Sequence, residues 1–196
     1  MSRRKKTKDK RSWEARPVHQ SIKNWSPADL LSVLSLIVIC LAIGLPRYLL
    51  CIDFKDEGFL AYGAVRVLEG QIPNLDFFSL QPPLSFYTSA AAFKIFGISL
   101  VTLRIFGLIL YILIPILIFS ITRFFLPWPF ALAAALPSTV IGMPLYTFVP
   151  LSVWQGITAV LAALFFYIQS IRSGRHRWAF LSGLFTAASI LKKNQG

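Results

Sequence analysis

FFLPWPFALAAALPSTVIGMPLYTFVPLSVWQGITAVLAALFFYIQSI, residues 124–171, contains no charged side chain. A run this long has no place inside a small soluble core, and it holds enough residues for two membrane-crossing helices and a turn. Pro144 and Pro150 mark the expected turn, since proline removes a backbone donor and breaks helices. Arg123 and Arg172 bracket the run.

Working towards the N-terminus, Ile105–Thr122 is a second uncharged stretch between Arg104 and Arg123, and Leu30–Pro46 a third. At about 1.5 Å rise per residue each lies at the lower limit of length for crossing a hydrocarbon core about 30 Å thick. Towards the C-terminus, Trp178–Leu191 is apolar but spans only roughly 21 Å as a helix. The stretch Pro82–Gly97 is weaker, because it holds Lys94 and the hydroxyls Ser85, Thr88 and Ser89. The composition agrees with a membrane solvent: 56% of residues are hydrophobic and 14% charged, against roughly 25% charged in soluble domains. The fold class expected is therefore all-α and integral to the membrane, a polytopic helical bundle.

The net charge of +12 could suggest nucleic acid, but its distribution suggests a membrane orientation signal. Nine of the twenty basic residues (Arg3, Arg4, Lys5, Lys6, Lys8, Lys10, Arg11, Arg16 and Lys23) lie in residues 1–27, opposed there by Asp9 and Glu14. A basic block beside an apolar run stays in the cytoplasm and attracts anionic lipid headgroups. It reads as a retained signal-anchor, because the charged region is long and no small-residue cleavage site follows the run. No nucleic-acid partner is expected. Keeping Arg123, Arg172, Arg175 and Arg177 inside as well requires Pro82–Gly97 to lie at the outer surface. The scheme is then a cytoplasmic tail (1–27), a membrane part (28–196) with about five crossings, and a first external loop over residues 47–104.

Cys40 and Cys51 are the only cysteines, one inside an apolar run and one beyond it, and His19 and His176 are isolated in basic segments. Neither a disulfide framework, a metal site nor a cofactor is expected. The acids are unusual in their placement. All eight lie at or before Asp76, and Asp53, Asp56, Glu57, Glu69 and Asp76 fall within 24 residues of the external loop. Asp53, Asp56 and Glu57 could cap and charge the first turn of a helix over roughly Asp56–Leu68, whose Phe59, Leu60, Val67 and Leu68 would rest on the membrane. That capping role and a chemical role are both open to them, since a carboxylate at a helix start is well held for chemistry.

The ordered series Asp56-Glu57-Gly58-Phe59-Leu60-Ala61-Tyr62, Leu68-Glu69-Gly70, Ile72-Pro73-Asn74-Leu75-Asp76-Phe77-Phe78 and Gln81-Pro82-Pro83-Leu84 resembles the first external loop of type C glycosyltransferases. It is most similar to the bacterial relatives of dolichyl-phosphate-mannose protein mannosyltransferases and of aminoarabinose transferases. Phe96-Gly97, Arg104 and Leu191-Lys192-Lys193-Asn194-Gln195-Gly196 follow in the family order, so the resemblance covers about residues 30–196. Gln81 stands where many relatives carry lysine, and Phe59 where the aminoarabinose branch carries arginine.

The resemblance implies a multi-pass protein of the plasma (inner) membrane that takes a sugar from a polyprenyl-phosphate donor to an acceptor hydroxyl on the outer face. It implies Asp56 as the catalytic base. Glu57, Asp76 and Gln81 would bind sugar or acceptor, and Lys192 and Lys193 would meet the leaving phosphate. The 196 residues resemble the N-terminal part of such an enzyme, which a downstream polypeptide would complete, and alone they are expected to transfer no sugar. The alternative is a non-catalytic multi-span subunit or a lipid-binding anchor.

Overall fold

The computed structural model describes residues 25–50, 56–79, 81–141 and 150–191, with the side chains of 47–50, 141 and 191 outside the description. They form seven α-helices: α1 (Pro27–Leu50), α2 (Asp56–Leu68), α3 (Pro83–Phe96), α4 (Leu100–Arg123), α5 (Trp128–Ile141), α6 (Ser152–Ser173) and α7 (His176–Leu191). The fold is all-α, and Pro27–Pro46, Leu100–Arg123 and Ser152–Ser173 are each long and apolar enough to cross a membrane. These correspond to the first two expected crossings and to the second half of the uncharged run. α5 and α7 are shorter, with 14 and 16 residues.

Local chemistry sets the helix ends. α1 starts in a capping box: the Ser26 hydroxyl accepts from the Asp29 N–H at 3.3 Å, while the Asp29 carboxylate accepts from the Ser26 N–H at 2.9 Å. Pro27 occupies the first helical position, where a missing N–H costs nothing. Ser99 caps α4 by accepting from the Val101 N–H at 3.1 Å. Gly174, at φ 63°, closes α6 in the left-handed conformation, which lets the chain reverse at once into α7.

Packing register gives each helix its direction. Leu36 of α1 meets Phe119 of α4, and Cys40 meets Tyr111, so the sequence numbers run opposite ways along the contact. Ala131 and Ala135 of α5 pack on the same Phe119, and Tyr111 donates its hydroxyl to the Thr139 carbonyl. Thus α1 and α5 run antiparallel to α4. Phe124 and Phe165 stack at 5.7 Å, and Arg172 donates to the Phe124 carbonyl at 2.7 Å, so the ends of α4 and α6 coincide. α7 returns along α6, where Ser182 donates to the Ala163 carbonyl at 3.0 Å. Thus α1, α4, α5, α6 and α7 alternate in direction along the bundle.

α2 and α3 cap the other end, over the starts of α4 and α6. Leu103 of α4 packs with Ala64, Ala90 and Phe93, and Thr88 donates to Gln155 Oε1 at 2.7 Å. One expectation is corrected here. Leu60 is fully buried against Phe86, with Phe59 and Val67 packed on the same cluster, so this side of α2 faces α3 rather than the membrane. Leu68 alone of the four is exposed. The apolar face of α3 is the nearer hydrophobic surface, and burying α2 against it satisfies both helices.

Candidate functional site

Asp56, Glu57 and Asp76 stand on the α2–α3 cap, in different environments. Glu57 is 1% exposed and forms a two-pronged ion pair with Arg104, whose Nε and Nη2 lie 2.8 Å from its two carboxylate oxygens. Arg104 comes from the first turns of α4, directly beneath the start of α2. A planar guanidinium matches a carboxylate in two parallel hydrogen bonds, the strongest geometry this pair can adopt. The pair ties the first turn of α2 to the bundle. Asp56, one residue earlier, is exposed. It shares the helix start, where the orphan N–H groups favour negative charge.

Asp76 lies in the connection from α2 to α3. Its carboxylate accepts from the Ile72 N–H at 2.7 Å, and its own N–H donates to the Ile72 carbonyl at 2.9 Å. Asn74, at φ 66°, and Gly70, at φ 89°, supply the two left-handed residues the tight path requires. Asp76 is exposed. Arg66 of α2 clamps this loop: it donates to Gln71 Oε1 and to the Tyr62 hydroxyl, and it stacks over Phe77 at 5.0 Å.

Phe86 of α3 is the hub beneath both acids. Phe59, one helical turn from Asp56, and Phe77, adjacent to Asp76, each meet its ring edge-on at 5.8 Å. Gly63 makes room for it, since a Cβ there would lie 2.3 Å from a Phe86 ring carbon. Gln81 enters just before α3. The Ser79 hydroxyl donates to its carbonyl, and its buried side-chain oxygen has no partner among the described residues. The Ser85 and Ser89 hydroxyls, one turn apart on α3, are likewise buried without a partner among the described residues.

The structure thus gathers Asp56, Glu57, Asp76 and Gln81 on one cap. Lys192 and Lys193 lie outside the described residues. Sequence reasoning missed two participants. Arg104 was visible as the charge bounding a span and as a residue in the family order, without a role, and Gln155 only as one uncharged residue in a long apolar run. Gln155 is buried, donates to the Pro150 carbonyl at 2.6 Å and accepts from Thr88. A glutamine within an apolar run is itself a signal, since hydrocarbon tolerates an amide only where it has partners.

The family model for dolichyl-phosphate-mannose-protein mannosyltransferase matches residues 80–196, more than half of the chain. The chain belongs to this family. The assignment agrees with the expected type C glycosyltransferase superfamily, and the bundle is that of a multi-pass membrane protein. The matched segment takes in Gln81 and all of α3 to α7, while α1, α2, Asp56, Glu57 and Asp76 precede it. No curated protein and no solved structure matches the chain.

Proposed function

We propose that this chain takes part in the transfer of a sugar from a polyprenyl-phosphate carrier to an acceptor hydroxyl at the α2–α3 end, with Asp56 as the general base. The observation that carries the reading is the contrast within one helical turn: an exposed carboxylate beside a buried one locked to Arg104. The locked residue holds the turn, and the exposed one is presented on it. In the reaction the acceptor oxygen attacks the anomeric carbon and gives its proton to Asp56. The bond from that carbon to the carrier phosphate breaks, and the phosphate leaves with the electron pair. An alcohol is a poor nucleophile, so a positioned base is worth about 10²–10⁴-fold.

Asp76 and Gln81 are the partners for sugar or acceptor hydroxyls, and Lys192 and Lys193 those for the phosphate, where negative charge develops. Glu57 takes a different role from the one its resemblance implied. With both oxygens on Arg104 it acts as a positioning residue for Asp56.

The test is Asp56→Asn in the enzyme together with the downstream polypeptide expected to complete it, reconstituted with a polyprenyl-phosphate sugar and assayed for transfer. Asparagine caps helices about as well as aspartate, so the membrane level should stay normal. Transfer should fall by at least about 10²-fold. Unchanged transfer in a stable Asp56→Asn chain would reduce Asp56 to a helix cap and overturn the assignment.

A further inference from the structure

At the end of the bundle opposite α2 and α3, the start of α1 and the ends of α4 and α6 enclose a cavity of about 110 Å³. Its walls are mixed. Trp25, Phe124 and Phe165 supply aromatic faces, while Asp29, Arg123, Gln169 and Arg172 supply polar groups. The acid is spent within the wall. Asp29 accepts from Arg123 Nε at 2.5 Å and Nη2 at 3.3 Å, and from the Ser26 N–H and hydroxyl at 2.9 Å each. Arg123 completes its set on the Leu126 carbonyl at 3.2 Å.

Arg172 differs from Arg123. It gives one hydrogen bond to the Phe124 carbonyl and lies over the Phe124 ring at 4.8 Å, and no carboxylate among the described residues pairs with it. A guanidinium carries five N–H donors in a fixed fork, which suits a tetrahedral oxyanion better than a single carbonyl. The Gln169 side chain, one turn earlier on α6, lines the same space. With Asp29 and Arg123 cancelling, the cavity keeps one net positive charge.

We infer that this cavity binds the phosphate of an anionic membrane lipid, held by Arg172 and Gln169 with Trp25 against the glycerol end. A phosphate in solution carries the same chemistry, but the position favours a lipid. The walls are the ends of three helices of crossing length, which places the cavity at the membrane boundary, where tryptophan concentrates. The basic segment 1–24 leads into Trp25 and would concentrate anionic headgroups beside the opening. The room suits a headgroup phosphate rather than a whole lipid, so the acyl chains would lie outside along α1 and α6. The site is independent of the transferase reading, because it lies at the other end of the bundle.

The test is native mass spectrometry of the full chain titrated with phosphatidylglycerol or with phosphatidylcholine of the same acyl chains. Arg172→Gln should weaken phosphatidylglycerol binding by about fivefold, the worth of one basic residue at a charged surface, and leave phosphatidylcholine unchanged. Arg172→Lys should restore part of the loss. Gln169→Leu should also weaken it while leaving the Arg172–Phe124 contacts intact, so it reports on the site even where Arg172→Gln fails to assemble. Wild-type phosphatidylglycerol binding in Gln169→Leu and in any assembled Arg172 variant would assign the lipid to the basic tail and overturn the inference. Inorganic phosphate protecting the cavity as well as the lipid does would equally overturn it in favour of a soluble ligand.

Discussion

Asp56 and Glu57 are neighbours in the chain but not in environment. Glu57 is almost wholly excluded from solvent and faces a guanidinium whose side chain is 12% exposed; Asp56 faces outward. Breaking a buried ion pair from one side leaves the other charge without its compensation, at a cost of several kcal/mol, whereas a surface change typically stays within about 0.5 kcal/mol. Glu57→Gln should therefore destabilise the chain by roughly 3 kcal/mol, and Asp56→Asn should not. Thermal unfolding of the two purified variants in the same detergent checks this. Equal stability of both would show that the pair is not what holds the turn. The sequence places both acids at one helix start and gives them related roles. What divides them is Arg104, 47 residues later. No local pattern of spacing ties positions so far apart; only the seating of α4 beneath α2 does.

The α2–α3 pair shows how far an element can be read and where the reading stops. Apolar spacing and the acidic start give α2 its bounds, Asp56–Leu68, as observed. Its buried side was misassigned because the partner was disguised. Ser85, Thr88 and Ser89 make Pro82–Gly97 look like a poor span, yet Ser85 and Ser89 are fully buried and Thr88 links to Gln155. Hydroxyls tolerated within a helical bundle are hard to tell from hydroxyls facing water by periodicity alone. The close approach of the two helices rests on Gly63. Gly63→Ala would drive a methyl into the Phe86 ring, and overpacking of this kind costs about 1–3 kcal/mol. Because Phe86 also supports Phe59 and Phe77, the loop carrying Asp76 should loosen with it. We expect faster proteolysis within residues 70–78 in Gly63→Ala and partial recovery when Phe86→Leu is added. A Gly63→Ala chain as resistant as the wild type would place the α2–α3 contact elsewhere.

Across the whole molecule, the packing register brings together helix ends that the charge pattern predicts to share one side of the membrane. Lys and Arg counts predict that the tail, Arg123 and the Arg172–Arg177 turn lie on the inner side. The packing brings Asp29 at the start of α1 onto Arg123 at the end of α4, and Arg172 at the end of α6 onto Phe124, so the same features meet at one end. Glu57 and Arg104 meet at the other. The short helices fit the same path: α5 runs with α1, and α7 returns along α6, although 16 residues give roughly 24 Å of helix against a hydrocarbon core of about 30 Å. A helix shorter than its bilayer is accommodated by local thinning at modest cost, so length alone does not remove α7 from the count. The prediction uses two exposed positions at opposite ends, Leu75 in the α2–α3 connection and Arg175 in the α6–α7 turn. In a background with Cys40 and Cys51 replaced by alanine, Leu75→Cys should react with a membrane-impermeant thiol reagent in intact cells. Arg175→Cys should react only after the membrane is opened. Labelling of both from outside would break the alternation and with it the five-crossing path. Labelling of Arg175→Cys alone would invert the molecule, moving Asp56 to the cytoplasmic face and ending its assignment to an acceptor outside.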